Sequence, residues 1–194
     1  MLRVVKHSFL VLLVLAAVGR AADPPPPRTV PEVDLDRYAG LWHEIARLPN
    51  RFQNACAGEV TAAYERRADG RLTVLNRCRE SDGEWRSAEG VARVVDEGSR
   101  SKLKVRFAPK FLSWLSAVWG DYWILDLADD YSWVAVGSPD RGYFWVLSRS
   151  LELDRSILAG IIDRAERQGF DLSRLIRTRQ RRGDSAARAL SPPG

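Results

Sequence analysis

The tripeptide Gly40-Leu41-Trp42 opens the globular part of this 194-residue chain, and with two distant partners it decides the fold. Asp129-Asp130-Tyr131 lies after mid-chain, and Arg149 ends the last strand-like run. The sequence between Trp42 and Arg149 alternates as strands do, so the three positions indicate the start, a bend and the end of one antiparallel sheet. A barrel that holds a cavity needs one closed end. An arginine guanidinium laid over an indole closes that end while its polar edge stays hydrogen-bonded.

Period-two alternation supports a barrel. In the range 101–108 the apolar residues Leu103, Val105 and Phe107 interleave with basic residues, and an Asp69-Gly70 turn joins two further alternating runs into a hairpin. The predicted strands cover residues 42–47, 60–64, 72–76, 84–95, 101–108, 121–127, 131–137 and 143–148. Eight up-and-down antiparallel strands close into an all-β barrel that is wide enough for one small ligand. A sandwich is the alternative, and the succession of hairpins disfavours it.

The period changes after the barrel. Asp154 is placed to cap a helix whose apolar residues form one stripe, and Gly169 stands where that helix should stop. We expect this C-terminal helix to pack against the outside of the barrel. The range 172–178 is then expected to return as a short final strand.

Three stretches resemble the lipocalin family, and in particular its bacterial members. They are Tyr38–Arg47 with the Gly-x-Trp motif, Val74–Cys78, and Tyr143–Arg149 with the closing arginine. The bend at Asp129-Asp130-Tyr131 resembles the Thr-Asp-Tyr motif of the family, with Asp129 preceded by no threonine. The resemblance covers residues 33–180 and implies eight strands, one helix and a final strand.

The chain divides into four predicted segments. Residues 1–22 read as a secretory signal peptide, 23–32 as a proline-rich spacer, 33–180 as the barrel domain, and 181–194 as a basic, disordered tail. An uncleaved membrane anchor is the alternative for the first segment. Bacterial relatives often carry a lipid on a cysteine at the cleavage site, but here no cysteine precedes Cys56. We therefore expect an exported protein, periplasmic or associated with the outer membrane, without an N-terminal lipid anchor.

The charge balance argues against a nucleic-acid partner. Of the 30 basic residues, three lie in the leader and five from Arg177 onward, and of the 25 acidic residues one lies in that tail, so 22 basic and 24 acidic residues remain. A nearly neutral body lacks the basic stripe that nucleic acid needs. The basic tail is either a solvated terminus or weakly attracted to anionic membranes.

The resemblance also implies a ligand cavity. In similar lipocalins the pocket is lined from the positions of Tyr64, Asn76, Phe107 and Trp145, and strand parity adds two more. The predicted ligand-binding residues are therefore Tyr64, Asn76, Phe107, Tyr122, Trp145 and Leu147, above a closure formed by Gly40, Trp42 and Arg149. The alternative is a solid interior without a void.

Cys56 and Cys78 are the two cysteines, and they share a face of the predicted hairpin far from its turn. A disulfide fits an exported protein, and closing a loop of this size stabilises by roughly 3 kcal/mol. A reactive thiol is the alternative, and it needs a nearby base. Past the leader, His43 is the single histidine, so no metal, cofactor or hydrolytic motif is expected.

One apolar stretch interrupts the barrel pattern between residues 109 and 120. It has helical spacing and includes Phe111, Trp114, Leu115 and Trp119. Three roles fit this stretch: a cap on the barrel mouth, a membrane contact, or a dimer interface.

Together these observations predict a binding protein, monomeric or homodimeric, for a small lipophilic ligand such as a fatty acid or lysophospholipid. Two alternatives stay open. One is an isomerase or oxidoreductase of the same fold that uses a free Cys56 or Cys78, and the other is a binder of a pigment, porphyrin or siderophore.

Overall fold

The computed structural model describes residues 24–107 and 118–181. Eight of its strands form the barrel: β1 Gly40–Arg47, β2 Cys56–Arg66, β3 Leu72–Glu80, β4 Trp85–Val94, β5 Lys102–Arg106, β6 Gly120–Leu127, β7 Trp133–Gly137 and β8 Phe144–Ser148. Outside it lie a short helix α1 (Leu35–Tyr38), a 3-10 turn (Arg51–Gln53), helix α2 (Arg155–Arg167) and strand β9 (Ile176–Arg177).

The sheet closes on itself through β1. Each strand from β2 to β7 pairs antiparallel with the next, and β1 pairs with both β8 and β2. Trp42 lies opposite Ala62 on one side, and Glu44 lies opposite Leu147 on the other. The predicted eight-stranded up-and-down barrel is therefore confirmed.

The barrel has two distinct ends. The floor is the end at which Gly40 begins β1 and the 67–71 turn joins β2 to β3. Gly70, at a φ of 80°, makes that turn. The mouth is the opposite end, where residues 48–55 connect β1 to β2; we call this segment the mouth loop.

Alternation along the strands produces two apolar cores. The first fills the floor half of the barrel, and its buried members are Val33, Leu35, Tyr38, Trp42, Ala62, Tyr64, Leu72, Val74, Ala92, Leu103, Ile124, Val134, Val136 and Leu147. The second lies between the outer wall and α2, and it includes Leu125, Phe144, Val146, Leu158, Ile161 and Phe170.

Helix α2 follows the predicted signals. The Asp154 carboxylate accepts hydrogen bonds from the backbone of Ser156 and Ile157, which satisfies two free amides of the first turn. The buried residues Leu158, Ile161 and Ala165 form its apolar stripe. The helix ends before Gly169, whose φ of 88° suits glycine, so the predicted outer helix is confirmed.

Three local predictions need correction. Strand β9 is confined to Ile176–Arg177 rather than 172–178, because Leu172 is buried in the core under α2 and its carbonyl accepts from the Leu175 amide in a turn. Strand β7 begins at Trp133, since Tyr131 stands in a bend with a φ of 62°. The four-residue helix α1 was not expected, because one turn is too short for an apolar period to show.

Within the described ranges, no helix combines the length and apolar character needed to cross a bilayer.

Candidate functional site

The barrel floor is closed by Arg149 and Trp42. The guanidinium carbon of Arg149 lies 3.7 Å from the centroid of the completely buried Trp42 ring. Its nitrogens donate to four backbone carbonyls, those of Arg37, Tyr38, Ala39 and Leu41, at 2.8 to 3.1 Å. Gly40 fits beneath it with a φ of 99°, and a Cβ there would come within 3.2 Å of the guanidinium. Stacking and hydrogen bonding together fix this end of the barrel.

The mid-chain bend holds α1 under the floor. The Tyr131 hydroxyl accepts a hydrogen bond from the Asp34 amide at 2.8 Å. The Arg37 guanidinium lies 4.0 Å from the Tyr131 ring centroid and donates to the Asp129 carbonyl at 2.8 Å. The three parts of the opening sequence pattern thus meet at one end of the barrel.

Above the floor, three phenols form a hydrogen-bonded group that we call the tyrosine cluster: Tyr38, Tyr64 and Tyr122. The Tyr122 oxygen lies 2.7 Å from that of Tyr38, and it accepts from the Tyr64 hydroxyl at 2.8 Å. Burial raises the pKa of Tyr64 to about 12 and raises the pKa values of Tyr38 and Tyr122 well above their usual value. All three phenols therefore stay protonated at physiological pH.

The inner wall is not uniformly buried. Val74, Leu103 and Val136 are essentially inaccessible. Four other inward residues are partly accessible, namely Asn76, Val105, Tyr122 and Trp145. Phe107 is 45% exposed. Because the strands of Asn76, Val105 and Trp145 are paired on both sides at these residues, their accessible surface faces the barrel interior.

The six predicted ligand-binding residues occupy different levels of that interior. Tyr64 and Leu147 are buried, and the Tyr64 hydroxyl is engaged with Tyr122. Asn76 lies one inward position nearer the mouth than the pair of Tyr64 and Val74, and Trp145 lies one inward position nearer the mouth than Leu147. Phe107 lies over Gly90, where a Cβ would come within 2.7 Å of its ring. Glycine at position 90 is therefore what lets Phe107 cover the inner wall.

A buried polar group near the mouth was missed by the sequence argument. This mouth cluster consists of Glu44, Arg47, Gln53 and Thr178. Arg47 pairs with the Glu44 carboxylate at 2.7 Å, which also accepts from Gln53 at 2.5 Å and from the Thr178 hydroxyl. Glu44 and Arg47 are 2% and 7% exposed. Burial of this ion pair is tolerated because the carboxylate is hydrogen-bonded on both oxygens.

A β-bulge explains why alternation did not predict this cluster. The register between β1 and β8 shifts between Glu44 and Ala46, so both Glu44 and Arg47 pair with the inward residues of β8, Leu147 and Trp145. Strict alternation puts residues three apart on opposite faces. No local signal in the sequence marks the extra residue.

The mouth loop is anchored by aromatic stacking and by Gln53. The Phe52 and Tyr143 rings stack at 5.8 Å, and Tyr143 stacks on Trp145 at 5.7 Å. The Trp145 indole also donates to the Gln53 side chain at 2.8 Å. The loop is thereby tied to the strand that bears the inward Trp145.

Residues after β9 complete the wall where β1 and β2 diverge. The Gln180 amide donates to the carbonyls of Glu44 and Val60 at 2.8 and 2.9 Å. The Glu59 amide donates to the Arg179 carbonyl at 2.7 Å. This segment bridges the two strands above the last pair of their ladder, His43 and Thr61. Burial lowers the pKa of that outward-facing His43.

Cys56 and Cys78 form the predicted disulfide, with their Cα atoms 5.5 Å apart. Neither thiol is free, so the structure gives no support to an enzyme that uses one as a nucleophile. Among residues 24–107 and 118–181, no group of three or more His, Cys, Asp or Glu side chains is arranged to hold a metal ion.

Of the residues assigned to membrane contact, Phe111, Trp114 and Leu115 lie outside the described residues. Trp119 lies on the outer wall, with the guanidinium carbons of Arg93 and Arg106 at 4.5 and 5.2 Å from its ring centroid. A role for this stretch in membrane contact stays a prediction.

Comparisons with known proteins agree with this architecture. The family model of the lipocalin-like domain matches residues 33–180. The chain is 36% identical over 174 residues to the outer membrane lipoprotein Blc of Vibrio cholerae, covering 89% of this chain and 97% of that protein. It is 37% identical over 150 residues to temperature-induced lipocalin-1 of Arabidopsis thaliana, covering 76% and 80%. Among solved structures, insecticyanin of the tobacco hornworm Manduca sexta superposes with a TM-score of 0.62 at 21% identity, covering 81% and 86%, which shows a shared fold.

Proposed function

Because the chain belongs to the lipocalin family, whose members bind small lipophilic ligands, we propose that it binds a single-chain amphiphile such as a fatty acid or lysophospholipid inside the barrel. The observation that carries this proposal is the make-up of the inner wall. An apolar, buried core is bordered by inward residues that keep part of their surface accessible, namely Val105, Tyr122 and Trp145.

Apolar transfer supplies the driving force. Each methylene removed from water contributes about 0.8 kcal/mol, so even a partly buried acyl chain gains several kcal/mol against the cost of being immobilised. We propose that Phe107, Trp145 and Leu147 contact the acyl chain of the ligand with their apolar surfaces. Asn76 and Tyr122 are the proposed polar contacts of the ligand inside the barrel.

The charged head group is proposed at the mouth, because burying an unpaired charge in the apolar floor half costs far more than leaving it near water. Tyr64 and Asn76 are the polar residues among the ligand-binding positions that the family resemblance implies. Tyr64 is 5% exposed and its hydroxyl is bonded to Tyr122, so we propose that it supports Tyr122 rather than touching a head group.

A lumen-filling substitution tests the proposal. We expect Val105→Trp to weaken hexadecanoate binding at least tenfold, because Val105 points inward where the wall is accessible. Lys104→Trp is the matched control: it adds the same ring one residue away, on the outer face where Lys104 pairs with Asp121. Fluorescence displacement titration measures both. The proposal is contradicted if both variants lower the affinity equally, or if the wild-type protein retains no fatty acid or lysophospholipid.

We also propose that the protein works in the bacterial cell envelope. Support comes from similar proteins of Vibrio cholerae, Escherichia coli and Citrobacter freundii, each of which is named an outer membrane lipoprotein. The disulfide agrees with an oxidising compartment. Cell fractionation with an antibody to the protein tests this location, and recovery in the cytosol contradicts it.

A further inference from the structure

The tyrosine cluster contains one more hydrogen-bond donor than its internal contacts use. Tyr38, Tyr64 and Tyr122 bring three hydroxyl hydrogens, and the cluster has two oxygen–oxygen contacts. Each contact consumes one hydrogen. One hydroxyl hydrogen is therefore left to point elsewhere.

Burial decides which phenol keeps that hydrogen. Tyr64 donates to Tyr122, so the choice lies between Tyr38 and Tyr122. Tyr38 is completely buried, so a hydroxyl hydrogen that it did not donate to Tyr122 would have no water to accept it. We assign Tyr38 as the second donor, so that the Tyr122 oxygen accepts twice. The partly accessible Tyr122 keeps its hydrogen for the barrel interior.

An unpaired acceptor lies on the inner wall, diagonally across from Tyr64. The buried Oδ1 of Asn76 has no hydrogen-bond partner among the described residues. Asn76 pairs with Ala62, and the next inward pair toward the floor is Tyr64 with Val74, so Asn76 and Tyr64 are diagonal neighbours about 7–8 Å apart. The Tyr64 hydroxyl in turn touches that of Tyr122.

We infer that Tyr122 and Asn76 form a polar subsite at the inner end of the cavity that takes a hydroxyl group. The ligand class is a long-chain amphiphile that carries a hydroxyl at the end opposite its charged head. This inference rests on the proposed function and refines its ligand.

A hydroxyl matches both groups, because it accepts from the Tyr122 phenol and donates to the Asn76 carbonyl oxygen. A terminal methyl leaves both groups without a partner, which costs affinity when water is displaced. A carboxylate at the inner end of the barrel would accept a hydrogen bond from Tyr122, but it has no hydrogen to donate to the Asn76 carbonyl oxygen. It would also bury a charge among apolar side chains.

Matched ligand pairs test the inference. The affinities of ω-hydroxy fatty acids and of plain fatty acids of equal chain length are measured by displacement titration over a series of chain lengths. For wild type we expect the hydroxylated acid to bind about tenfold tighter at the chain length that reaches Tyr122, with a smaller advantage for shorter and longer chains.

Two variants assign the effect. Tyr122→Phe and Asn76→Leu should each remove most of the hydroxyl preference, measured within each variant as the ratio of the two affinities. Circular dichroism of each variant is the control for an intact barrel. Tyr143→Phe removes a phenol hydroxyl outside the tyrosine cluster and should keep the preference.

The outcomes separate the two proposals. If plain acids bind and no chain length shows a hydroxyl preference, or if Tyr122→Phe keeps it, the subsite is wrong and the proposed function stands. If neither kind of acid binds, both fall.

Discussion

At the scale of single residues, Arg149 is the side chain whose chemistry is least replaceable. It stacks on Trp42 and donates to four carbonyls that converge at the floor. Only a planar guanidinium offers several donors in a fixed fork while its face lies on an indole. Lysine keeps the charge and loses the fork.

We therefore expect Arg149→Lys to lower the free energy of unfolding by about 2 kcal/mol, because most of the carbonyls at the floor lose their donor. Urea unfolding followed by circular dichroism measures the change. Arg155→Lys, on the exposed first turn of α2, is the control and should lie within about 0.5 kcal/mol of wild type. A similar loss in both variants would contradict the role of Arg149.

The residues at the floor were predictable from the sequence because the role of each one there requires its particular residue type. Trp42 and Arg149 form a stacked pair that needs an indole and a guanidinium, and Gly40 adopts a φ of 99° that other residues rarely take. Nothing in the sequence around Glu44 indicated that its side chain is buried in a polar cluster. Its partners Gln53 and Thr178 come from a loop and from the chain end, and their approach depends on the closed barrel.

At the scale of elements, the hairpin of β2 and β3 is predictable along most of its length and irregular at the mouth. The ladder runs without a break from Thr61 to Arg66, and its register shifts twice between Cys56 and Thr61. The disulfide from Cys56 to Cys78 lies at this irregular end. It joins the two strands covalently where their ladder is interrupted.

Removing the disulfide should lower the free energy of unfolding by about 3 kcal/mol, because the bond closes a 22-residue separation in the unfolded chain. The variant Cys56→Ser with Cys78→Ser, compared with wild type in urea, gives the magnitude. A reducing agent should destabilise wild type and leave the double variant unchanged. Equal stability of the two proteins under oxidising conditions would show that the bond is not formed.

Element boundaries were harder to predict than element types. Period-two alternation identified every barrel strand, and the cap at Asp154 located α2. Alternation carries no information about a bulge such as the one between Glu44 and Ala46, because the extra residue is set by the pairing partner. The segment from Thr178 to Gln180 was also missed, since its hydrogen bonds to β1 and β2 are long-range.

At the scale of the whole molecule, the two ends of the barrel are built differently. Stacked and hydrogen-bonded side chains close the floor, whereas the mouth is bounded by a loop, a bulge and the chain segment after β9. We propose that the ligand enters and leaves through the mouth. The sequence predicted the closed end from three motifs, and the polar contents of the mouth needed the three-dimensional structure.

The central claim is that an acyl chain occupies the barrel interior. A crystal structure of the protein grown with a long-chain fatty acid tests it most directly. The account predicts continuous electron density for the chain beside Phe107, Trp145 and Leu147, with its inner end at Tyr122. A barrel filled only by its own side chains, or a fatty acid bound solely on the outer wall, would contradict it.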